Sequence, residues 1–252
     1  MNWEKLKTFL IFLFLGINIF LIATNLHSFY TESIISRETV SDTVSLLAQK
    51  GISVEPDIIP RSVESLENII LTNILFENDQ ITRAQTGEQF AHPMDWGEVT
   101  ENSAKDEAKR AAKRMGLEYA QAFSPRKTEG GIVVELGQQI RGITVFDSVA
   151  QAVFANGTAT LSGTWYVPEV LPRKASADDS EKVYITGVLI DFIGNPDRAA
   201  QTQITGIDFG YRIPTYESGM SHKQVTAVPC YRLTTADGNR YDYNAKTGEY
   251  IR

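Results

Sequence analysis

The N-terminal stretch over residues 6–25 is the feature that most constrains how this chain can fold. It reads LKTFLIFLFLGINIFLIATN, and every residue from 9 to 23 is apolar or glycine except Asn18. An α-helix of about 20 residues rises about 30 Å, which is the thickness of the hydrocarbon core of a bilayer. The stretch therefore predicts a transmembrane anchor over residues 6–26.

The charges beside this stretch predict its orientation. Lys5 and Lys7 stand at its start, and no lysine or arginine follows it until Arg37. Because cytoplasmic flanks carry the excess of positive charge, residues 1–5 are expected in the cytoplasm and the rest of the chain outside the cell. The prediction is a single-pass protein of the cell membrane with an extracellular C-terminal domain.

A cleaved signal peptide is the alternative interpretation of the same stretch. Signal peptides have an apolar region of about 7–15 residues, followed by a cleavage site with small residues at two alternate positions. The nearest pairs are Leu21 with Ala23 and Ile22 with Thr24, and neither pair is small at both positions. The length of the apolar run fits either class, so the missing cleavage site is what favours a retained anchor.

Asn18 places a carboxamide inside the apolar stretch. Lipid cannot satisfy its polar atoms, whereas a hydrogen bond to another transmembrane helix contributes about 0.6–2 kcal/mol. Residues at spacings of three and four share one face of a helix, and we predict that such a stripe binds a partner helix. The stripe consists of Ile11, Phe14, Asn18, Leu21 and Asn25. The alternative is that Asn18 bonds to the backbone of its own helix or to a local water.

The rest of the chain has the composition of a globular protein. Hydrophobic residues make up 42% of the chain and aromatic residues 10%, which argues against a disordered protein. The formal net charge of −7 and the lack of a basic run argue against a nucleic-acid partner. Cys230 is the single cysteine, so no intramolecular disulfide can form, and its apolar neighbours predict a buried side chain.

A first extracytoplasmic α+β unit is expected over residues 38–170, after a juxtamembrane connector at 27–37. Apolar residues recur at helical spacing from 38 to 50, which predicts the first helix. A second helix is predicted from Ser103, a suitable N-cap, to Met115.

Apolar alternation and turn residues predict the strands of this unit. Two strands turned near residues 77–80 are expected within 67–85, with loop and edge structure over 86–101. Further strands are predicted at 131–136, 140–146, 149–154 and 158–167. The last two are joined by Asn156–Gly157, which is a strong hairpin signal.

A second α+β unit is expected over residues 171–252. Its helix is predicted to begin near Ser176 and to end at Gly194. The apolar stripe of this helix consists of Ile185, Val188, Leu189 and Phe192. Strands are predicted at 203–213, 224–234 and 239–243, with a short one near 249–251.

The order of these elements predicts the fold class. Beyond the anchor, a helix followed by antiparallel strands occurs three times along the chain. This order predicts an α+β architecture, with an N-terminal single transmembrane helix before antiparallel sheets that have helices packed on one face. Two packed units are expected, each with its own sheet and with the break near residues 168–177.

The sequence offers no set of residues arranged for catalysis. His27, His92 and His222 are far apart and lack metal-ligand spacing. No glycine-rich phosphate loop and no Gly-x-Ser-x-Gly motif is present. The acidic pair Asp178–Asp179 lies in the first turn of a predicted helix, where carboxylates complement the helix dipole. We therefore predict a protein without catalytic residues, cofactor or metal.

Three segments resemble those of one known family. The chain begins with MNWEKLKT before a stretch with an Ile-Asn-Ile-Phe-Leu core at residues 17–21, a helix leads into GISVEPDIIP, and the end reads YRLTTADGNRYDYNAKTGEYIR. Together they resemble the YycI family, which are membrane-anchored accessory proteins of the YycFG (WalRK) two-component system in low-GC Gram-positive bacteria. The ending is also similar to the PepSY-like domains of exported bacterial proteins.

The resemblance implies a function in kinase regulation. It implies an extracytoplasmic domain similar to parts of the companion protein YycH, and control of a sensor histidine kinase of the YycG/WalK type that governs cell-wall metabolism. The implied partners are this kinase, a YycH-like protein and the membrane, with contact through the transmembrane helix. A surface PepSY-like module that binds a ligand or inhibits a protease is the alternative function. Residues 86–130 carry no motif that the family explains.

Overall fold

The computed structural model describes residue 7 and residues 13–21, 34–62, 66–76, 90–173, 183–214 and 224–251. After residue 34 its α-helices are α1 (Arg37–Gln49), α2 (Glu101–Arg114) and α3 (Ile185–Ile193). Short 3₁₀ turns occur at Pro56–Ile58 and Ile74–Phe76.

Strands contribute more residues to the described structure than helices do. In chain order they are β1 (Ile52–Val54), β2 (Ile69–Asn73), β3 (Phe90–Asp95), β4 (Ala120–Ala122), β5 (Arg126–Thr128), β6 (Gly131–Ile140), β7 (Ile143–Ala155), β8 (Thr158–Thr164), β9 (Tyr166–Pro168), β10 (Thr202–Arg212), β11 (Gln224–Thr235), β12 (Arg240–Asn244) and β13 (Tyr250–Ile251).

The predicted fold class, with a transmembrane helix over residues 6–26, is wrong. Within the stretches that the structure describes, no helix is long and apolar enough to cross a membrane. The described residues of the N-terminal stretch, residue 7 and residues 13–21, are helical. Apolar composition favours burial in lipid and in a protein core alike, so it does not by itself establish a membrane span.

The strands of both halves of the chain join one hydrogen-bonded network. Its main path runs in the order β13–β12–β11–β10–β7–β6–β4. The halves meet where β7 and β10 pair in parallel, Thr144 with Gly210 and Val145 with Tyr211. β2 adds a second connection, because it pairs with both β11 and β9. The prediction of two units with separate sheets is therefore wrong, and the domain boundary at residue 170 stays a prediction.

Helix α2 begins one turn earlier than the sequence suggested. The Thr100 side chain accepts a hydrogen bond from the Ser103 backbone N–H, and the Thr100 N–H donates to Ser103 Oγ at 3.1 Å. These reciprocal bonds form a capping box, which satisfies N–H groups that the helix itself leaves unpaired. Ser103 is therefore the third residue of the helix, and Thr100 is its N-cap.

The core under α2 combines small helix residues with large sheet residues. The helix buries Ala104, Ala108, Ala111 and Ala112, all of them completely. Facing them on the strand side are large residues that include Phe90, Phe154 and Trp165. We call this cluster the alanine core. Because alanine has no side chain beyond Cβ, α2 lies close to the sheet.

A second core forms where α1 and α3 cover β10, β11 and β12. It contains Phe192 of α3 and the strand residues Tyr231, Tyr241 and Tyr243, and we call it the aromatic core. The ring centroids of Phe192 and Tyr241 are 5.0 Å apart, and those of Phe192 and Tyr243 are 6.5 Å apart, both in edge-to-face orientation. This geometry is favourable because the positive ring edge meets the negative ring face.

The aromatic core is built from both ends of the chain. Leu47 of α1 is completely buried in it, although α1 precedes the whole alanine core in sequence. The following strand β1 pairs in parallel with the start of β10, with Ile52 opposite Thr202. The packing thus groups residues differently from the predicted division into 38–170 and 171–252.

Helix α3 begins later than the sequence suggested. Its first residue is Ile185, and Tyr184 precedes it without a side-chain capping bond. The predicted start near Ser176 lies outside the described residues. The predicted apolar stripe is confirmed, because Ile185, Val188, Leu189 and Phe192 are all buried.

A small central cluster connects the two halves. It contains Leu71, Ile140, Val145, Tyr211 and Ala227. The Tyr211 hydroxyl donates a hydrogen bond to the Glu67 carbonyl at 2.9 Å, so the polar end of this buried ring is satisfied.

Several local predictions are confirmed. The helix expected over 38–50 is α1, and Asn156 and Gly157, with φ of 50° and 74°, form the turn between β7 and β8. β3 was expected only as loop and edge structure; it pairs with β8 alone among the described strands. The second strand predicted within 67–85 falls on residues outside the described stretches.

Candidate binding face

The sheet side opposite the helices carries the most unusual group of side chains. Tyr211, Tyr231 and Tyr243 face the helices or the central cluster. Because strand side chains alternate between faces, their chain neighbours Arg212, Arg232 and Asp242 lie on the opposite side. No described helix packs there. We call this side the helix-free face, defined by Phe123, Glu135, Phe146, Asp147, Val149, Asp208, Arg212, Arg232 and Asp242.

A bulge in β7 places two of these side chains. In the pairing of β6 with β7, Gly137 lies opposite Val149, but the next β6 residue, Gln138, lies opposite Val145. Residues 146–148 are therefore extra in β7, and a bulge of this kind re-aims side chains next to it. Ser148 Oγ accepts a hydrogen bond from the Tyr166 N–H at 3.1 Å, which holds the bulge in place.

Phe146 lies over the backbone of β10 at Gly210. A Cβ built on Gly210 would be 2.8 Å from two carbons of the Phe146 ring and 2.5 Å from the Thr144 carbonyl oxygen. Any side chain at this position would therefore clash with the bulge. Gly210 is required here because it allows close approach of two strands.

Two arginines and two aspartates form a continuous cluster beside Phe146. Arg232 Nε and Nη2 donate to the two Asp242 carboxylate oxygens, each at 2.7 Å. Arg212 Nε lies 3.0 Å from Asp242 Oδ2, and the Arg212 guanidinium also pairs with Asp147. The forked Arg232–Asp242 contact is the strong type of ion pair, because two parallel charge-assisted bonds fix its geometry. We call these four residues the arginine–aspartate cluster.

The cluster is fixed from both sides. The Arg232 guanidinium carbon is 3.9 Å from the centroid of the Phe146 ring, which adds a cation–π contact. Asp147 Oδ2 accepts a hydrogen bond from the Ile213 N–H at 2.6 Å. The cluster therefore connects β7 with β10, β11 and β12 across the junction of the two halves.

An apolar patch adjoins the cluster on the same face. Phe123 is 55% exposed and Val149 is 52% exposed. The Phe123 ring lies over Gly137, because a Cβ built on Gly137 would be 3.0 Å from a carbon of that ring. Gly137 is also the cross-strand partner of Val149. The two exposed side chains are therefore neighbours. An open cavity of about 340 Å³ beside them is lined by Glu135, Asp147, Val149, Ala150, Gln151, Ser162, Gly163 and Thr164.

The chemistry of this face is suited to recognition. Both arginines already hold carboxylates, so their charges are balanced within the cluster. The nearby Cys230 is completely buried. Burial, and to a smaller extent the Asp242 carboxylate, raises the pKa of its thiol above the usual range, so the sulfur stays protonated at neutral pH. Within the described residues, no group of three or more His, Cys, Asp or Glu side chains could hold a metal ion.

The predicted partner-binding stripe is described in part. Phe14 and Leu21 are 62% and 50% exposed. The Asn18 carboxamide donates a hydrogen bond to the Phe14 carbonyl at 2.8 Å, which is the alternative in which Asn18 bonds to its own helix. Ile11 and Asn25 lie outside the described residues. The partner contact of this stripe stays a prediction.

Sequence reasoning did not find the helix-free face. One signal was available, because the Asp237–Gly238 turn sets a hairpin register that places Arg232 directly opposite Asp242. The bulge at 146–148 had no such signal, since it depends on pairing with three other strands.

Comparisons with known proteins find solved structures that are similar to this chain, including the following two. No protein-family model matches the chain, and no curated protein matches it. The C-terminal domain of YpeB from Bacillus megaterium is 12% identical with a TM-score of 0.36, over 87% of this chain and 97% of that domain. An uncharacterized protein from Eubacterium rectale is 12% identical with a TM-score of 0.40, over 85% of this chain and 80% of that chain.

Proposed function

We propose that this chain is a non-enzymatic regulatory protein that binds a partner protein through the helix-free face. The observation that carries the proposal is the exposed pair Phe123 and Val149 beside the arginine–aspartate cluster. Exposed aromatic and aliphatic side chains next to ordered polar groups are the usual composition of a protein-binding surface. The cluster keeps the surface rigid, which lowers the entropy that binding must overcome.

The partner that we propose is the extracytoplasmic part of a sensor histidine kinase of the YycG/WalK type, together with a YycH-like protein. The support is the resemblance of the N-terminal segment, the helix with GISVEPDIIP and the C-terminal ending to the YycI family. The site of action would be the outer surface of the cell membrane. The proposed contact is made by the sheet domain, not by a membrane-spanning helix.

The coupling that such regulation needs is modest. A bias of about 1–3 kcal/mol shifts a two-state kinase equilibrium by about 5–150-fold. A buried aromatic side chain at the centre of an interface commonly contributes about 2 kcal/mol or more. One well-placed contact on the helix-free face is therefore sufficient.

Phe123→Glu tests the proposal. We expect at least about 30-fold weaker binding of the full chain to the kinase domain and the YycH-like protein, because about 2 kcal/mol of apolar contact is lost. The measurement is the dissociation constant by calorimetry or biolayer interferometry. The matched control is Ile190→Glu on α3, where the native side chain is 46% exposed on the helical side.

Equal effects of Phe123→Glu and Ile190→Glu would overturn the assignment of the face. Binding of a small ligand or a protease that depends on Phe123, without binding of the kinase, would instead favour the surface-module function.

A further inference from the structure

Helix α2 carries an unusual concentration of positive charge for an acidic protein. Its solvent side presents Lys105, Lys109, Arg110, Lys113 and Arg114, all exposed, whereas the whole chain has a net charge of −7. This surface lies on the far side of α2 from the sheet, so it is separate from the helix-free face.

The two arginines on this surface already have partners. Arg110 Nη1 lies 2.9 Å from Glu107 Oε1, and the Arg114 guanidinium carbon is 5.9 Å from the centroid of the Trp96 ring. The three lysines differ, because none forms an ion pair with any residue in the described stretches. We call Lys105, Lys109 and Lys113 the lysine row.

The lysine row is regular. Its members follow one another at four-residue spacing, so their Cα atoms rise about 6 Å per step along one side of the helix. Glu101 and Asp106 stand within one turn of the row, yet neither is paired with it. The helix dipole accounts for cations in the last turn, where Lys113 lies, but not for Lys105 and Lys109.

A hollow of about 630 Å³ lies at the C-terminal end of the row. It is lined by Lys109, Lys113, Gly116, Leu117, Glu118, Tyr119 and Ala120. Tyr119 is 39% exposed and has a φ of 61°, a left-handed conformation that a bulky residue rarely adopts. Its carbonyl accepts from the Gln139 N–H at 3.0 Å. This bond to β6 holds Tyr119 in a strained conformation at the hollow. Such strain often accompanies a binding role.

We propose that the lysine row and this hollow bind an extended polyanion that carries phosphate groups. Lysine binds phosphate as a mobile point charge, whereas arginine binds phosphate or carboxylate through its planar fork. The free cations here are lysines, and the arginines are engaged. A repeated row requires a repeated anion, so a linear polymer fits better than a single small ion. The inference is independent of the kinase function proposed above.

Binding of linear inorganic polyphosphate to the full chain tests this proposal. We expect Lys109→Gln combined with Lys113→Gln to weaken binding about tenfold at low salt, because two phosphate contacts are lost. The slope of log affinity against log salt should also decrease by about 1–2. Lys50→Gln combined with Lys127→Gln removes the same charge from exposed positions elsewhere and should change affinity less than about twofold.

Glu118→Gln provides a variant with the opposite expected sign. Removing this carboxylate from the hollow should tighten polyphosphate binding about twofold, because a like charge no longer opposes the phosphates. Equal weakening by both lysine pairs would overturn the proposal, since the effect would then be one of net charge. Equally tight binding of poly-glutamate that depends on the same lysines would also overturn it, and would identify an acidic polypeptide as the ligand.

Discussion

The alanine core and the aromatic core solve the same packing problem in opposite ways. In the alanine core the helix contributes small side chains and the sheet contributes large ones, such as Phe154 and Trp165. In the aromatic core Phe192 projects from the helix into a layer of tyrosines, including Tyr241 and Tyr243. The first arrangement brings helix and sheet close together, and the second fills a wider space with rings.

This difference predicts which changes each core tolerates. A closely packed interface has no room for added atoms, whereas an interface filled by one large ring is left with a cavity when that ring is removed. The alanine core should therefore be sensitive to enlargement on the helix side, and the aromatic core should be sensitive to truncation.

The largest expected effect is that of Phe192→Ala. Phe192 is completely buried, and its removal leaves a cavity and ends two edge-to-face contacts. We expect the free energy of unfolding to fall by about 3–5 kcal/mol. The measurement is the urea unfolding midpoint of the full chain. Ile190→Ala, on the exposed side of the same helix, should change stability by less than about 0.5 kcal/mol. A Phe192→Ala cost below about 1 kcal/mol would contradict the description of the aromatic core.

Enlarging the alanine core should have the next largest effect. We expect Ala108→Leu to lower the free energy of unfolding by about 1–3 kcal/mol, because the added carbons must displace α2 from the sheet. Leucine is nearly as good a helix former as alanine, so helix propensity cannot explain such a loss.

A matched enlargement on α3 that adds atoms in open space, outside the aromatic core, has the opposite expected sign. A Cβ at Gly187 of α3 would meet nothing within 4 Å, so Gly187→Ala should stabilise by about 0.4–1 kcal/mol through the unfolded state. Thermal or urea unfolding of both variants gives the comparison. Destabilisation by both would show that crowding against the sheet does not explain the Ala108→Leu loss.

The last expected effect concerns alkaline pH and the Tyr243 hydroxyl. Burial raises the pKa of Tyr243 to about 12, against a smaller lowering by its bond to Asn195. An unfolded tyrosine titrates near pH 10. Above about pH 10 the unfolded state loses this proton first, so the free energy of unfolding should fall until about pH 12, while below pH 10 the contribution is complete.

Tyr243→Phe separates this contribution from the others. At neutral pH it should cost about 1 kcal/mol, because the buried Asn195 Nδ2, which lies 2.8 Å from the hydroxyl, loses its acceptor. Between pH 9 and pH 11 the further loss of stability should be smaller in this variant than in the native chain. The measurement is the urea unfolding midpoint of both proteins over this pH range. An identical alkaline decline would assign it to other groups.

Local patterns predicted the elements better than they predicted their arrangement. The apolar period of α1 and the Asn156–Gly157 turn each depend on neighbouring residues, so the sequence contained the necessary information. The pairing of β1 with the start of β10 joins residues about 150 positions apart, and no local period encodes such a contact. The predicted transmembrane helix was wrong for a related reason, since apolar composition is a local property that favours burial in lipid and in protein alike.

The helix-free face was even less accessible to sequence reasoning. Arg232 and Asp242 could be paired from the hairpin register, but Phe146 and Asp147 reach them through a bulge that depends on the pairing of β7 with three other strands. The lysine row was visible in the sequence as KDEAKRAAK, but a helical row of lysines is ordinarily a solvated surface. The lysine row differs from such a surface in two ways: its lysines have no ion-pair partner among the described residues, and a hollow adjoins it.

The assembly of the aromatic core from both chain ends has a consequence for synthesis on the ribosome. The alanine core uses a continuous segment and can close once residue 167 has emerged. Helix α1 is made much earlier, yet its sheet partners β11 and β12 follow only about 200 residues later. At about 5–20 residues per second, the roughly 200 residues from α1 to the end of β12 require about 10–40 seconds. During this time α1 can contact only nearby parts of the aromatic core, such as β1 and the following 3₁₀ turn. A chain that terminates early, before β12, therefore leaves α1 without most of its core.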